Sequence, residues 1–308
     1  MKEQMHAVFN SIPSPTISYI ELGPFRIHFY ALFILLGIVL AIWIASVRLS
    51  KRGAPRGAAL DIALWTVPFG IIGGRIFHVL THPNDYFFPG ADLLAVFRVW
   101  EGGLAIFGGL LLGAVGAFIG AKQAGVKFWS FADAVAPGIL VAQAIGRLGN
   151  YFNQELFGLP TDLPWGLEID FGNPAYPKGL PAGQLFHPTF AYEMLWSLVG
   201  AAILIWIDRK FELRWGKLFG LYLVWYSVGR IWIESIRIDP SEIIAGLRLN
   251  VWSAIAGIII GVAIFYIQSR RHTGLELSAA LEKETIVTAD DDLTYGLDSE
   301  EVSSVKAD

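Results

Sequence analysis

Seven runs of about twenty predominantly apolar residues order this chain, at roughly 28–48, 58–80, 101–121, 131–151, 188–207, 218–238 and 250–269. A helical residue rises about 1.5 Å, so some twenty of them cover the ~30 Å hydrocarbon core of a bilayer. Backbone inside that core must satisfy its own hydrogen bonds, which makes each run a helix. With 54% hydrophobic and 16% charged residues, the runs carry more apolar surface than one soluble core can bury. The expected fold is an all-α polytopic membrane protein with seven transmembrane helices.

Basic residues set the expected orientation. Arg48, Lys51, Arg52 and Arg56 follow the first run, Lys122 and Lys127 the third, Arg209, Lys210, Arg214 and Lys217 the fifth, and Arg270 and Arg271 the seventh. The alternate connections hold only Arg98, Lys178 and Arg248, with Arg237 at a helix end. This places the N-terminus outside and the C-terminus in the cytoplasm. Residues 1–27 then form an extracytoplasmic arm. Pro13, Pro15 and Pro24 stand where a signal peptide would have its apolar region, so the first helix is expected to act as an uncleaved anchor. Residues 28–270 form the transmembrane domain. Within it, the proline-broken segment 151–187 is too polar to span and reads as an extracytoplasmic head.

From His272 onward ten acidic residues face two lysines, a net of −8. The whole chain is −4, so the part before the tail is +4 and the acidity says nothing about the substrate. Residues 271–308 read as a disordered cytoplasmic tail whose removal from 275 onward leaves stability and activity intact. The chain has no cysteine, which excludes disulfides and an enzyme thiol. No phosphate loop, nucleic-acid motif or His/Asp metal spacing is present, so neither metal nor other cofactor is expected.

Several polar groups interrupt the apolar runs at one depth. Arg75, Arg147, Tyr226, Arg230, Glu234 and Arg237 lie in the outer halves of runs two, four and six, while His28, Tyr30, Glu101-Gly102-Gly103 and Tyr192-Glu193 begin runs one, three and five. At 100° per helical residue, Gln143, Arg147, Asn150 and Gln154 share one stripe, and Tyr226, Arg230, Glu234 and Arg237 another. Polar groups this deep are costly and mark a cavity or reaction site. Paired guanidinium groups near the outer leaflet suit a lipid phosphate, which they bind through two parallel N–H donors. Arg75 admits a second reading, as a packing pair with a carboxylate or carbonyl. Asp61 and Asp133, toward the inner side, read as caps or anchors of helix starts.

Gly146-Arg147-Leu148-Gly149-Asn150-Tyr151-Phe152-Asn153-Gln154-Glu155 resembles the signature of the prolipoprotein diacylglyceryl transferase family. The likeness extends over 20–270, through His28-Phe29-Tyr30, Gly73-Gly74-Arg75, Trp100-Glu101-Gly102-Gly103-Leu104, His187-Pro188-Thr189 with Tyr192-Glu193, and Tyr226 through Arg230 to Glu234 and Arg237. The resemblance implies a multi-pass enzyme of the bacterial cell membrane. Such an enzyme moves the diacylglyceryl group of phosphatidylglycerol to the lipobox cysteine of a prolipoprotein signal peptide, forming a thioether and releasing glycerol phosphate. It implies Arg147, Arg230, Tyr30 and Tyr226 as catalytic residues. Arg147, Gly149, Asn150, Asn153, Glu155, Arg75, Gly102, Gly103, Glu193 and Glu234 would contact substrate. Many family members carry a proposed base where this chain has Phe107, and glutamine where it has Phe190. His28, His187 or Tyr30 are the candidates to take the proton in its place. A lipid transporter or a noncatalytic lipid-binding scaffold remains as an alternative, although the inner halves of the runs lack the polar groups that alternating access needs.

Overall fold

A computed structural model describes residues 11–23, 25–274 and 276–281. Seven long helices form along the apolar runs: α1 (Phe29–Lys51), α2 (Ala58–Thr81), α3 (Ile106–Gln123), α4 (Phe128–Phe152), α5 (Thr189–Phe211), α6 (Lys217–Ile236) and α7 (Leu249–Arg271). Six are long and apolar enough to cross a membrane. The exception is α6, which carries Arg230 and Glu234 on its inward stripe and packs against α4, α5 and α7.

Short hairpins and turns join the helices at one end. β1 (Tyr19–Leu22) and β2 (Phe25–His28) pair ahead of α1, β3 (Leu167–Glu168) pairs with β4 (Leu185–Phe186), and β5 (Ile243–Ile244) with β6 (Leu247–Arg248). Around β3 and β4 the head has its own core of Phe157, Leu167, Ile169, Tyr176 and Phe186. Ile12 of the N-terminal arm is tied to it by backbone bonds with Gly166 and Glu168, both 2.9 Å. Residues 82–105 leave α2 as short 3-10 turns that expose Phe87, Phe88, Phe97 and Trp100.

Packing is closest where glycines meet. The backbones of Gly73 in α2 and Gly108 in α3 approach so tightly that a Cβ on either would overlap the other's carbonyl, and Gly220 and Gly261 do the same between α6 and α7. Such contacts let apolar helices gain dispersion energy where lipid offers no hydrophobic drive.

The basic turns gather at the opposite end and are paired. Asp208 of α5 receives Arg48 and Arg52, each at 3.1 Å, and Arg214 at 2.9 Å. Asp133, wholly buried in α4, accepts the backbone N–H groups of Gly216 (2.8 Å) and Phe219 (2.9 Å), and so caps α6 rather than its own helix.

One expectation is corrected here. The beginning of the acidic tail is docked, because Ala279 is buried and its backbone bonds Arg52 O (2.8 Å) and Lys127 N (2.9 Å). Ser130 donates to the buried carboxylate of Glu276 at 2.6 Å. These six residues supply an apolar methyl and backbone partners that the charge count hides. The expectation for 282–308 lies outside the described residues.

Candidate active site

The head-end halves of α1, α4, α5 and α6 bring the two arginine stripes together. From α4, Arg147 is ion-paired with Glu193 of α5 and donates from Nη1 to Asn150 Oδ1 at 3.2 Å. Asn150 and Asn153 both donate to Glu155 Oε1, at 2.8 and 3.3 Å, which fixes the end of α4. Glu193 also lies 4.0 Å from Arg230 of α6, and Arg230 lies 2.8 Å from Glu234. The Glu193 and Glu234 carboxylates are buried, so their charge has to be met by these guanidinium groups.

Beside this ion chain a cavity of about 510 Å³ runs along α1 and α4. Its wall on α1 goes from Tyr30 through Ile34 and Ile38 to Ala45, and on α4 from Asn150 and Arg147 through Ile139 to Phe131. Fifteen residues of helix give it a depth of roughly 22 Å. Polar groups (Tyr30, Gln143, Arg147, Asn150, Tyr226) occupy the head end and apolar ones the rest, Thr66 excepted. Gly149 faces the Tyr30 ring, and a Cβ there would collide with it. Tyr226 stacks on Tyr222, whose hydroxyl accepts from Gln143 Nε2 at 3.1 Å.

Other expected site residues fall elsewhere. Arg75 does not line the cavity: its Nε donates to Val96 O (2.7 Å), Nη1 to Gly102 O (2.6 Å) and Gly103 O (3.2 Å), and Nη2 to Ala95 O (2.5 Å). With Tyr86 over its face at 5.0 Å, it anchors the 82–105 segment, and Gly102 and Gly103, both at positive φ, wrap around it. Each of its three guanidinium nitrogens thus donates to a backbone carbonyl, the kind of partner the packing reading names. Gln154 leaves the arginine stripe because α4 ends at Phe152. At φ 49° it turns into the head, where its amide holds Pro15 O and Asp170 N.

Neither candidate histidine borders the cavity. His28 ends β2 with its ring against Tyr19, and His187 Nδ1 meets the Tyr192 hydroxyl at 3.2 Å. Phe107 packs on Phe77 and leaves the cavity wall to its neighbour Ile106. Phe190 stacks on Tyr151 at 4.6 Å, a packing role. Missing from the sequence reading were Tyr222, Arg248 and Asn250. Tyr222 could have been found, standing one turn before Tyr226 on the same stripe. Arg248 and Asn250 had no such signal, since only the hairpin between α6 and α7 brings them to Glu234.

Fold and site together define a multi-pass helical membrane protein with an apolar cavity that ends on an arginine. A family model, prolipoprotein diacylglyceryl transferase, matches residues 17–267. The phosphatidylglycerol–prolipoprotein diacylglyceryl transferase of Leifsonia xyli subsp. xyli is 54% identical over 86% of this chain and 83% of its own. Enzymes of the same name from Bifidobacterium adolescentis (48%, covering 90% and 85%) and Streptomyces griseus (46%, covering 92% and 83%) are also similar. The chain belongs to the prolipoprotein diacylglyceryl transferase family. That membership displaces the transporter and scaffold readings.

Proposed function

We propose that the protein transfers the diacylglyceryl group of phosphatidylglycerol to the lipobox cysteine of a prolipoprotein. The observation that carries this is the apolar cavity ending on Arg147, with Arg230 behind it through Glu193. In this reading an acyl chain lies along α1 and α4, and the phosphate meets Arg147 and Arg230. Tyr30, Tyr226, Gly149, Asn150, Asn153 and Glu155 shape the site around it, and Glu193 and Glu234 aim the arginines.

The cysteine sulfur attacks the glyceryl carbon that carries the phosphate oxygen. A C–S bond forms, the C–O bond breaks, and both its electrons leave on glycerol phosphate. Negative charge collects on the phosphate, where fixed guanidinium groups in an apolar setting stabilise it most. Among the described residues the cavity wall holds no histidine or carboxylate, so in this reading the thiol ionises in the arginine field and its proton passes to water, with the Tyr30 hydroxyl at the head end as the group on the wall that can relay it.

All seven helices cross the plasma membrane in this reading, α6 included, with the N-terminus and head outside and the C-terminus inside. The basic turns sharing one end support it. The prolipoprotein then approaches beneath the head formed by 151–187, and the acidic tail stays in the cytoplasm.

The test is to give purified protein phosphatidylglycerol and a lipobox peptide. Mass spectrometry should find a diacylglyceryl group on the cysteine peptide and none on its Cys→Ser counterpart. The rate should climb with pH toward the thiol pKa of about 8.5, and Phe107→His should flatten that climb. Folded protein that adds no lipid mass would reject the transfer, and a flat profile in the unaltered chain would reject only the unaided ionisation.

A further inference from the structure

Arg248 stands at the head of α7, a helix that lends no side chain to the cavity wall. Its Nε lies 2.8 Å from Glu234 Oε1. Nη1 donates to the Arg237 carbonyl at 2.9 Å, and Nη2 to the Asp239 carbonyl at 2.7 Å and the Asp239 carboxylate at 3.4 Å. Asn250 donates to the same Glu234 oxygen at 3.1 Å. The other oxygen, Oε2, faces Arg230 at 2.8 Å and Arg237 at 3.9 Å. The Glu234 side chain has no exposed surface, so water cannot share its charge.

A continuous ion network results: Arg147, Glu193, Arg230 and Glu234 in a row, then Arg237 and Arg248, which both reach Glu234 and Asp239, each ion within 4.0 Å of one of opposite charge. It holds four guanidinium groups and three carboxylates, an excess of one positive charge. Glu155 joins it only through the neutral amide of Asn150. A phosphodiester carries one negative charge, so the excess matches the lipid headgroup. Without Arg248 the chain is neutral, and Glu234 has to draw more on Arg230, the group that must turn toward a phosphate.

We infer that Arg248 is a positioning residue for the transfer: it holds Glu234 from the α7 side and gives the ion chain its net positive charge, which frees Arg230 for the lipid phosphate. This rests on the function proposed above. Arg248 also caps the end of α6 through the Arg237 and Asp239 carbonyls, a purely structural task. A lost cap lowers stability without changing the affinity of the protein that stays folded. Charge compensation separates the two roles.

The experiment measures KM for phosphatidylglycerol in mixed micelles, with the lipobox peptide saturating and thermal stability recorded for each protein. Arg248→Gln should raise KM about tenfold with a smaller fall in kcat, and Arg248→Lys should restore most of it. Arg248→Met, which keeps the apolar stem, stands in if the glutamine variant does not fold. The double variant Asp239→Asn/Arg248→Gln removes one charge of each sign, restores the excess, leaves Arg237 free to meet Glu234, and should bring KM back toward the unaltered value. An unchanged KM in both uncharged single variants, or a double variant no better than Arg248→Gln, would overturn the inference alone. A wild-type chain that transfers nothing would overturn the proposed function, and this inference with it.

Discussion

At Arg75 every guanidinium nitrogen points at a carbonyl oxygen, whereas Arg147 meets Glu193 and Asn150 and still borders the cavity. The two arginines sit at similar depth in α2 and α4, so their difference lies in what surrounds them. Arg147→Lys keeps the charge but loses the two-pronged fork, and should lower kcat/KM by about 10²–10³ with little change in melting temperature. Arg75→Lys leaves carbonyls among Ala95, Val96 and Gly102 without their donors, at about 0.5–1.5 kcal/mol each. Its melting temperature should fall while KM for the lipid holds. Thermal scans and kinetics on the two variants decide this, and the reverse pattern would exchange their roles.

Among the elements, the six residues 276–281 do more than their place after the last helix announces. They bond Arg52 at the end of α1 and Gly125 and Lys127 in the turn before α4. Ala279 joins the apolar cluster of Ala45, Ala59 and Phe131, which also forms the inner floor of the cavity. A chain ending at Gly274 loses the buried Ala279, the Glu276 carboxylate and four backbone or hydroxyl hydrogen bonds. Its melting temperature should fall by several degrees. A chain ending at Leu281 keeps all of these and should melt with the full-length protein. Equal melting of both truncations would show that the docking adds no stability. The tail illustrates a limit of reading by composition: ten acidic residues describe the average of a segment, and a single buried alanine decides where its first turn rests.

For the whole molecule, the antiparallel helices collect the basic turns at one end and the head and ion chain at the other. Cysteines introduced singly at Lys178 and Arg214, in a chain that otherwise has none, should separate the faces in intact cells. An impermeant maleimide is expected to label the first and spare the second, and the opposite result would turn the molecule over. The apolar runs by themselves determined the seven helices to within a few residues, because a spanning segment has no choice but to bond its own backbone. Depth along those runs likewise set Tyr30, Arg147, Glu193, Tyr226, Arg230 and Glu234 at one level, since 1.5 Å per residue is fixed by helix geometry. Which of them meet was decided by the tertiary structure. Arg75 faces carbonyls from a loop twenty residues later, Gln154 is turned away by the end of α4, and Arg248 reaches Glu234 only because β5 and β6 fold α7 back along α6. Guanidinium groups are long, always charged and have several donors, so their depth follows from sequence while their partners are settled by whichever carboxylate or carbonyl the packing brings within 4 Å.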